Sequence, residues 1–198
     1  MGRIMRDKLF YNGCFAHVFT RAIEKRKIFN DPGDFEFFRN KMAEVKKDYG
    51  LKIYHYCLME THLYLVVRIG EVKKFSEGIK VLKQAYAHKY NKASKRFGAV
   101  WRDRYRAKLI EDERYMLTCG RYVENNPVEA GIVAKGTDWL YSSSRHYELG
   151  IKDPTVESYV IESKVDESLV QIGSTEFEKS EAIGSELFQY QIWKKLKK

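Results

Sequence analysis

Three residues have the clearest capacity for chemistry. His62 lies in the run Leu58-Met59-Glu60-Thr61-His62-Leu63-Tyr64-Leu65-Val66-Val67, and Tyr122 and Asn126 lie in Arg121-Tyr122-Val123-Glu124-Asn125-Asn126-Pro127-Val128. The first run reads as a strand, whose alternation sends His62 and Tyr64 to one face and Leu63 and Leu65 to the other. The second reads as a helix, where a spacing of four puts Tyr122 and Asn126 on one face, a turn apart. A divalent metal held between His62 and Asn126 can polarise a phosphate oxygen. The Tyr122 phenol can then attack phosphorus in line and leave a covalent phosphotyrosine, which keeps the bond energy for rejoining a strand. Each residue also has a structural explanation, and Asn-Pro alone is a helix-stop signal. The chemistry rests on their joint presence.

Tyr64 shares the face of His62, but a neutral phenol with a pKa near 10 is a poor ligand for magnesium, which wants hard oxygen donors. Glu60 has the same strand parity and offers a carboxylate if the strand extends that far; otherwise it is a hairpin-turn residue facing solvent. Manganese accepts imidazole more readily than magnesium does. Tyr86 and Tyr90 are the alternative nucleophiles. Neither has an asparagine or glutamine four residues on, and both read as packing residues.

The elements that must position these residues follow from pattern and punctuation. Cys14 to Thr20 alternate loosely as a first strand. Asp31-Pro32-Gly33-Asp34 marks a turn with Asp34 as N-cap, and Phe35, Phe38, Met42 and Val45 give a helical period up to Gly50. Leu51 to Met59 and His62 to Ile69 form an antiparallel hairpin about Glu60-Thr61, which sets Cys57 opposite Tyr64 and Met59 opposite His62. A helix over 75–90, a short strand over 107–110 and a helix over 112–125 that Pro127 terminates complete the series. The order β-α-β-β-α-β-α predicts an α+β ferredoxin-like sandwich. Trp139 to Leu149 read as a last packed piece. Residues 1–153 form the domain and 154–198 an extension, ending in an amphipathic helical stretch through Ile183, Leu187, Ile192 and Leu196.

Composition narrows the classes. A chain of 198 residues with 44% hydrophobic and 32% charged residues is an ordinary globular domain with an appendage. No run of eighteen apolar residues predicts a membrane span, and the charged N-terminus is unlike a signal peptide. Cys14, Cys57 and Cys119 are scattered, which points to a reducing cytoplasm and away from a zinc site or disulfide framework. A net charge of +9 favours polyanionic partners, and fourteen tyrosines suit stacking on unpaired bases as well as core packing.

The sequence resembles the single-tyrosine HUH transposases, most closely the REP-associated tyrosine transposase branch. The resemblance is carried by His17-Val18-Phe19-Thr20-Arg21, by Leu58 to Leu65 (which looks like the family's Leu-Met-Pro-Asn-His-x-His-Leu), by Val100-Trp101-Arg102-Asp103-Arg104-Tyr105, by Arg121 to Gly131 and by Trp139-Leu140-Tyr141-Ser142-Ser143-Ser144. It spans residues 10–150 in family order. It implies a nuclease domain of the HUH fold that binds single-stranded or hairpin DNA and, with Mg2+ or Mn2+, cleaves it through a 5′-phosphotyrosine. By position, Tyr122 is the implied nucleophile and His62 and Asn126 the implied metal ligands. Arg21, Lys92, Lys95, Arg96, Arg102, Arg104, Arg106 and Lys108 are candidate DNA contacts. A cytoplasmic protein that joins the nucleoid when bound to DNA is implied, with a homodimer as one option. Tyr64 stands where the family has its second histidine, and Glu60-Thr61 replace Pro-Asn. Three outcomes stay open: an active site with fewer ligands, one completed by Glu60, or a DNA-binding protein that no longer cuts. An RNA-binding module on the same fold is a further reading, but no RNP-like strand supports it.

Overall fold

A computed structural model describes residues 9–157 together with 182, 183 and 185. Strands β1 (Phe15–Arg21), β2 (Lys52–Met59), β3 (His62–Arg68) and β4 (Arg106–Ile110) form an antiparallel sheet in the order β2-β3-β1-β4. Helices α1 (Pro32–Tyr49), α2 (Val72–Ala93), α3 (Glu113–Glu129) and the short α4 (Ser144–Glu148) complete the α+β arrangement that the pattern predicts. A two-residue strand, β5 (Ala182–Ile183), adds in parallel to the β4 edge. Ile183, expected in a helix, is therefore a strand residue, buried beside Ile110. The rest of that expected helix lies outside the described residues.

Strand alternation divides the sheet into two unlike faces. Ala16, Val18, Leu63, Leu65, Val67 and Leu109 point into the larger core, filled by Phe38 and Met42 of α1 and Ile79, Leu82 and Tyr86 of α2. Cys57, Met59, Val66 and Ile110 point the other way and meet Met116, Cys119 and Val123 of α3. The β2–β3 hairpin has the expected register, with Cys57 opposite Tyr64 and Met59 opposite His62. The two alternative tyrosines are buried in the larger core, and Tyr86 donates its hydroxyl hydrogen to the Ile28 carbonyl at 2.6 Å.

Two helix ends differ from expectation. The N-cap of α1 is Asp31, which accepts from the Asp34 amide at 3.0 Å, because Pro32 lacks an N–H and suits the first helical position. Asp34 falls in the first turn, where its carboxylate accepts from the Asn30 amide at 2.9 Å and pairs with Lys89. At the other end, Gly50 takes φ +62 as the expected C-cap.

The larger difference is in α3, which runs through Pro127 to Glu129. A proline in a helix removes the donor for the carbonyl four residues earlier, here Val123. The Asn126 side chain takes over that role, its amide nitrogen donating to the carbonyls of Tyr122 at 2.8 Å and Val123 at 3.3 Å. The Asn-Pro pair that reads as a stop is thus a splice that lets the helix continue.

Candidate functional site

On the face toward α3, the apolar contacts give way to a cleft of about 390 Å³. Its floor comes from alternate positions of three adjacent strands: His62 and Tyr64 of β3, His17, Phe19 and Arg21 of β1, and Arg106 and Lys108 of β4. The register sets Arg21 opposite His62, Phe19 between Tyr64 and Arg106, and His17 opposite Lys108. Lys25, Thr61 and, from α3, Tyr122 complete the wall.

Aromatic rings occupy the centre. Tyr64 stacks on His17 with centroids 5.6 Å apart, and the His62 ring meets Tyr64 edge-on at 4.9 Å. Tyr122 points its ring edgewise at both His17 (6.3 Å) and Tyr64 (6.2 Å). The Arg106 guanidinium lies 5.8 Å above the Phe19 ring and 3.8 Å from the Asp103 carboxylate. Such separations are those of favourable offset and edge-to-face pairs. The phenol of Tyr122 is therefore held against a packed aromatic floor.

The electrostatics are one-sided. Arg21, Lys25, Arg106 and Lys108 line the cleft, and among its described lining residues there is no carboxylate. Burial, and then the Arg21 guanidinium, push the His62 pKa down to about 4. Burial, and then Lys108, push His17 down to about 3. Both imidazoles are neutral near pH 7. Thr61 Oγ1 and His62 Nδ1 are hydrogen-bonded at 2.8 Å, leaving Nε2 as the other ring nitrogen.

A buried polar cluster fixes α3 on the sheet. His55 of β2 donates through Nδ1 to Glu124 Oε1 at 2.8 Å, and the Ser143 hydroxyl donates to the same oxygen at 2.5 Å. The His55 ring stacks on Tyr147 at 4.6 Å and fills the space beside Gly120. A Cβ at position 120 would come under 3.0 Å from three atoms of that ring. Gly120 and Glu124 stand two residues to either side of Tyr122, so this close approach sets the height and rotation from which the tyrosine enters the cleft.

Of the residues singled out in the sequence, the structure brings Arg21, Arg106, Lys108, His62, Tyr64 and Tyr122 together in this cleft, where His17, Phe19, Lys25 and Thr61, not singled out as site residues, join them. His17 and Phe19 share the parity of Arg21 on β1, which was the available signal. The remaining predicted residues lie elsewhere. Glu60, at the hairpin turn, pairs with Lys27 at 2.7 Å, and the Asn126 amide nitrogen donates within its own helix. Arg102 and Arg104 are exposed before β4, with the Arg102 amide donating to the Arg21 carbonyl at 3.0 Å. Lys92, Lys95 and Arg96 are exposed about the end of α2, next to a fully exposed Phe97.

This donor set does not fit magnesium, and manganese, which accepts imidazole more readily, would find no carboxylate beside His62 among the cleft's described lining residues. Magnesium requires hard oxygen ligands in near-octahedral geometry. The cleft presents two imidazoles and two phenols among four cations, and neither Glu60 nor Asn126 is among its lining residues. Among the described residues, no group of three or more His, Cys, Asp or Glu side chains could hold a metal ion. What the arrangement can do is seat a phosphate among cations, beside a tyrosine hydroxyl and stacking rings.

The family model described as Transposase IS200 like matches residues 10–126 of the chain. The chain belongs to the IS200-like transposases. Among solved structures, this IS200-like transposase is similar to a REP-associated tyrosine transposase bound to a REP hairpin. The two are 17% identical over 83% of this chain and 96% of that one, with a TM-score of 0.61, a likeness of fold. A candidate transposase from Deinococcus radiodurans R1 matches 63% of this chain and 95% of its own length, at 17% identity and a TM-score of 0.42. No curated protein matches the chain. No helix among the described residues is long and apolar enough to cross a membrane.

Proposed function

We propose that this IS200-like transposase binds single-stranded or hairpin DNA in the cleft and becomes joined to it through Tyr122. The observation that carries the reading is that Tyr122 opens into the same cleft as Arg21, Lys25, Arg106 and Lys108. Cations draw the phosphate backbone in, and the Phe19 and Tyr64 rings offer faces on which unpaired bases stack. The phenol oxygen of Tyr122 forms a bond to phosphorus as the bond to the 3′-oxygen breaks, giving a 5′-phosphotyrosine. The phenol proton is lost to water, and the departing oxygen takes up a proton as a free 3′-hydroxyl. Attack by a 3′-hydroxyl on the phosphotyrosine reverses the step and rejoins a strand. Lys92, Lys95, Arg96, Arg102 and Arg104 extend the basic surface along which a hairpin stem can lie. The fold neighbour's bound REP hairpin supports a hairpin as the ligand.

The test is a labelled hairpin oligonucleotide incubated with the protein and resolved on a denaturing gel. A covalent adduct is expected, absent in Tyr122→Phe. An adduct undiminished in Tyr122→Phe removes that residue from the role. One observation favours a second reading, binding without cutting: the Tyr64 ring stacks on His17 at the position the family gives its second histidine. Tight, salt-sensitive binding with no adduct, and an adduct regained in Tyr64→His, is the signature of that reading.

A further inference from the structure

We propose that the DNA phosphate next to Tyr122 is held by fixed side-chain cations, Arg21 and Lys108 flanked by Lys25 and Arg106, so that this chain grips its DNA without a divalent metal ion. The inference rests on the cleft being the DNA site proposed above, and goes beyond it by naming what holds the phosphate.

Three arrangements carry it. The first is the placement of charge. Arg21 is directly opposite His62 and Lys108 directly opposite His17, so a cation stands on each side of the ring cluster that Tyr122 approaches. These are strand positions, set by the sheet register rather than by a loop. Two monovalent cations supply the charge of one divalent ion, and Arg and Lys clamps stabilise phosphoryl oxygens in the way metals do. A guanidinium also presents paired donors that match two phosphate oxygens.

The second arrangement concerns the oxygen ligands. Neither Glu60 nor Asn126 lines the cleft: Glu60 pairs with Lys27 at the hairpin turn, and the Asn126 amide nitrogen is tied to the backbone of α3. The third concerns the ring at position 64. It is packed between the two imidazoles, stacked on His17 and edge-on to His62, so the space beside His62 is filled by a phenol. The cleft has thereby gained a stacking surface in a place suited to a second imidazole ligand.

The experiment measures binding of a fluorescein-labelled hairpin to the full chain by anisotropy, in EDTA and in MnCl2 at matched ionic strength. Manganese uptake by the protein alone is followed by electron paramagnetic resonance. Equal dissociation constants in the two buffers, within about twofold, and no stoichiometric manganese are expected. Arg21→Gln combined with Lys108→Gln should weaken binding roughly tenfold or more, and Arg21→Lys, which keeps the charge, should restore most of the loss in the Lys108-intact protein. Circular dichroism of each variant checks the fold. Binding that tightens tenfold with manganese, or one manganese bound per chain and lost in His62→Ala, overturns this inference and leaves the cleft as the DNA site. Hairpin binding that is undetectable in both buffers, or unchanged by the paired substitution, overturns the cleft itself and the inference with it.

Discussion

Gly120→Ala should be among the most damaging small substitutions in this protein, although alanine is the better helix former. The new Cβ would fall under 3.0 Å from three ring atoms of His55. His55 has little room to yield, because Glu124 holds its Nδ1 at 2.8 Å and Tyr147 stacks on its face at 4.6 Å. Overpacking of this kind costs about 1–3 kcal/mol. Displacing the imidazole also exposes a buried bond to Glu124, worth about another 1–3 kcal/mol. The helix gains about 1 kcal/mol from losing its glycine. The net loss is about 1–5 kcal/mol, which for a chain of this size lowers Tm by roughly 2–20 °C. Urea denaturation followed by circular dichroism measures it, in a double-mutant cycle with His55→Ala. With the imidazole gone, Gly120→Ala should become neutral or stabilise by up to about 1 kcal/mol. An equal cost in both backgrounds would refute the contact between His55 and α3 as its cause. Because Tyr122 is two residues away, adduct yield should recover along with stability in the double variant.

Glu124→Ala removes the acceptor shared by His55 and Ser143 and should destabilise the protein by about 3–5 kcal/mol, read from urea midpoints; a loss below 1 kcal/mol would show that the buried cluster relaxes freely. Asn126→Ala should cost about 1 kcal/mol and speed amide exchange in the last turn of α3, since the Val123 carbonyl then has no substitute for the Pro127 donor. His17 and His62 bind protons more weakly folded than unfolded. Stability from them is therefore complete above pH 6.5, declines as pH falls through 6.5 and stops falling only below about 4 for His62 and about 3 for His17. Urea midpoints between pH 7.5 and 4.5 should drop accordingly, and His62→Gln should flatten part of that drop; an unchanged slope would mean the imidazole is not shielded.

What was legible in the sequence was what depends on local period. The stripe Phe35, Phe38, Met42 and Val45, the left-handed Gly50 and the hairpin register that pairs Cys57 with Tyr64 follow from spacing alone, and all are present. The cleft was legible only in part, because strand parity tells which residues share a face but not which strands are neighbours. His17 and Phe19 become site residues because β1 lies between β3 and β4, and that adjacency is a property of the sheet order. Pro127 misled for a different reason. Its effect on the helix depends on whether a side chain can replace one lost donor, and Asn126 does so. The His55, Glu124 and Ser143 cluster joins β2, α3 and the segment before α4, a distance in sequence that no window spans.

The cationic cleft at Tyr122 predicts a particular salt dependence for hairpin binding. Four phosphate contacts in the cleft, from Arg21, Lys25, Arg106 and Lys108, should contribute about −3 to the slope of log K against log salt, each contact roughly 0.7–0.9, with any stem contacts adding to it. In the Arg21→Gln, Lys108→Gln protein that slope should become shallower by about 1.5. A slope near zero, or one the two substitutions leave unchanged, would place the DNA somewhere other than the cleft that holds Tyr122.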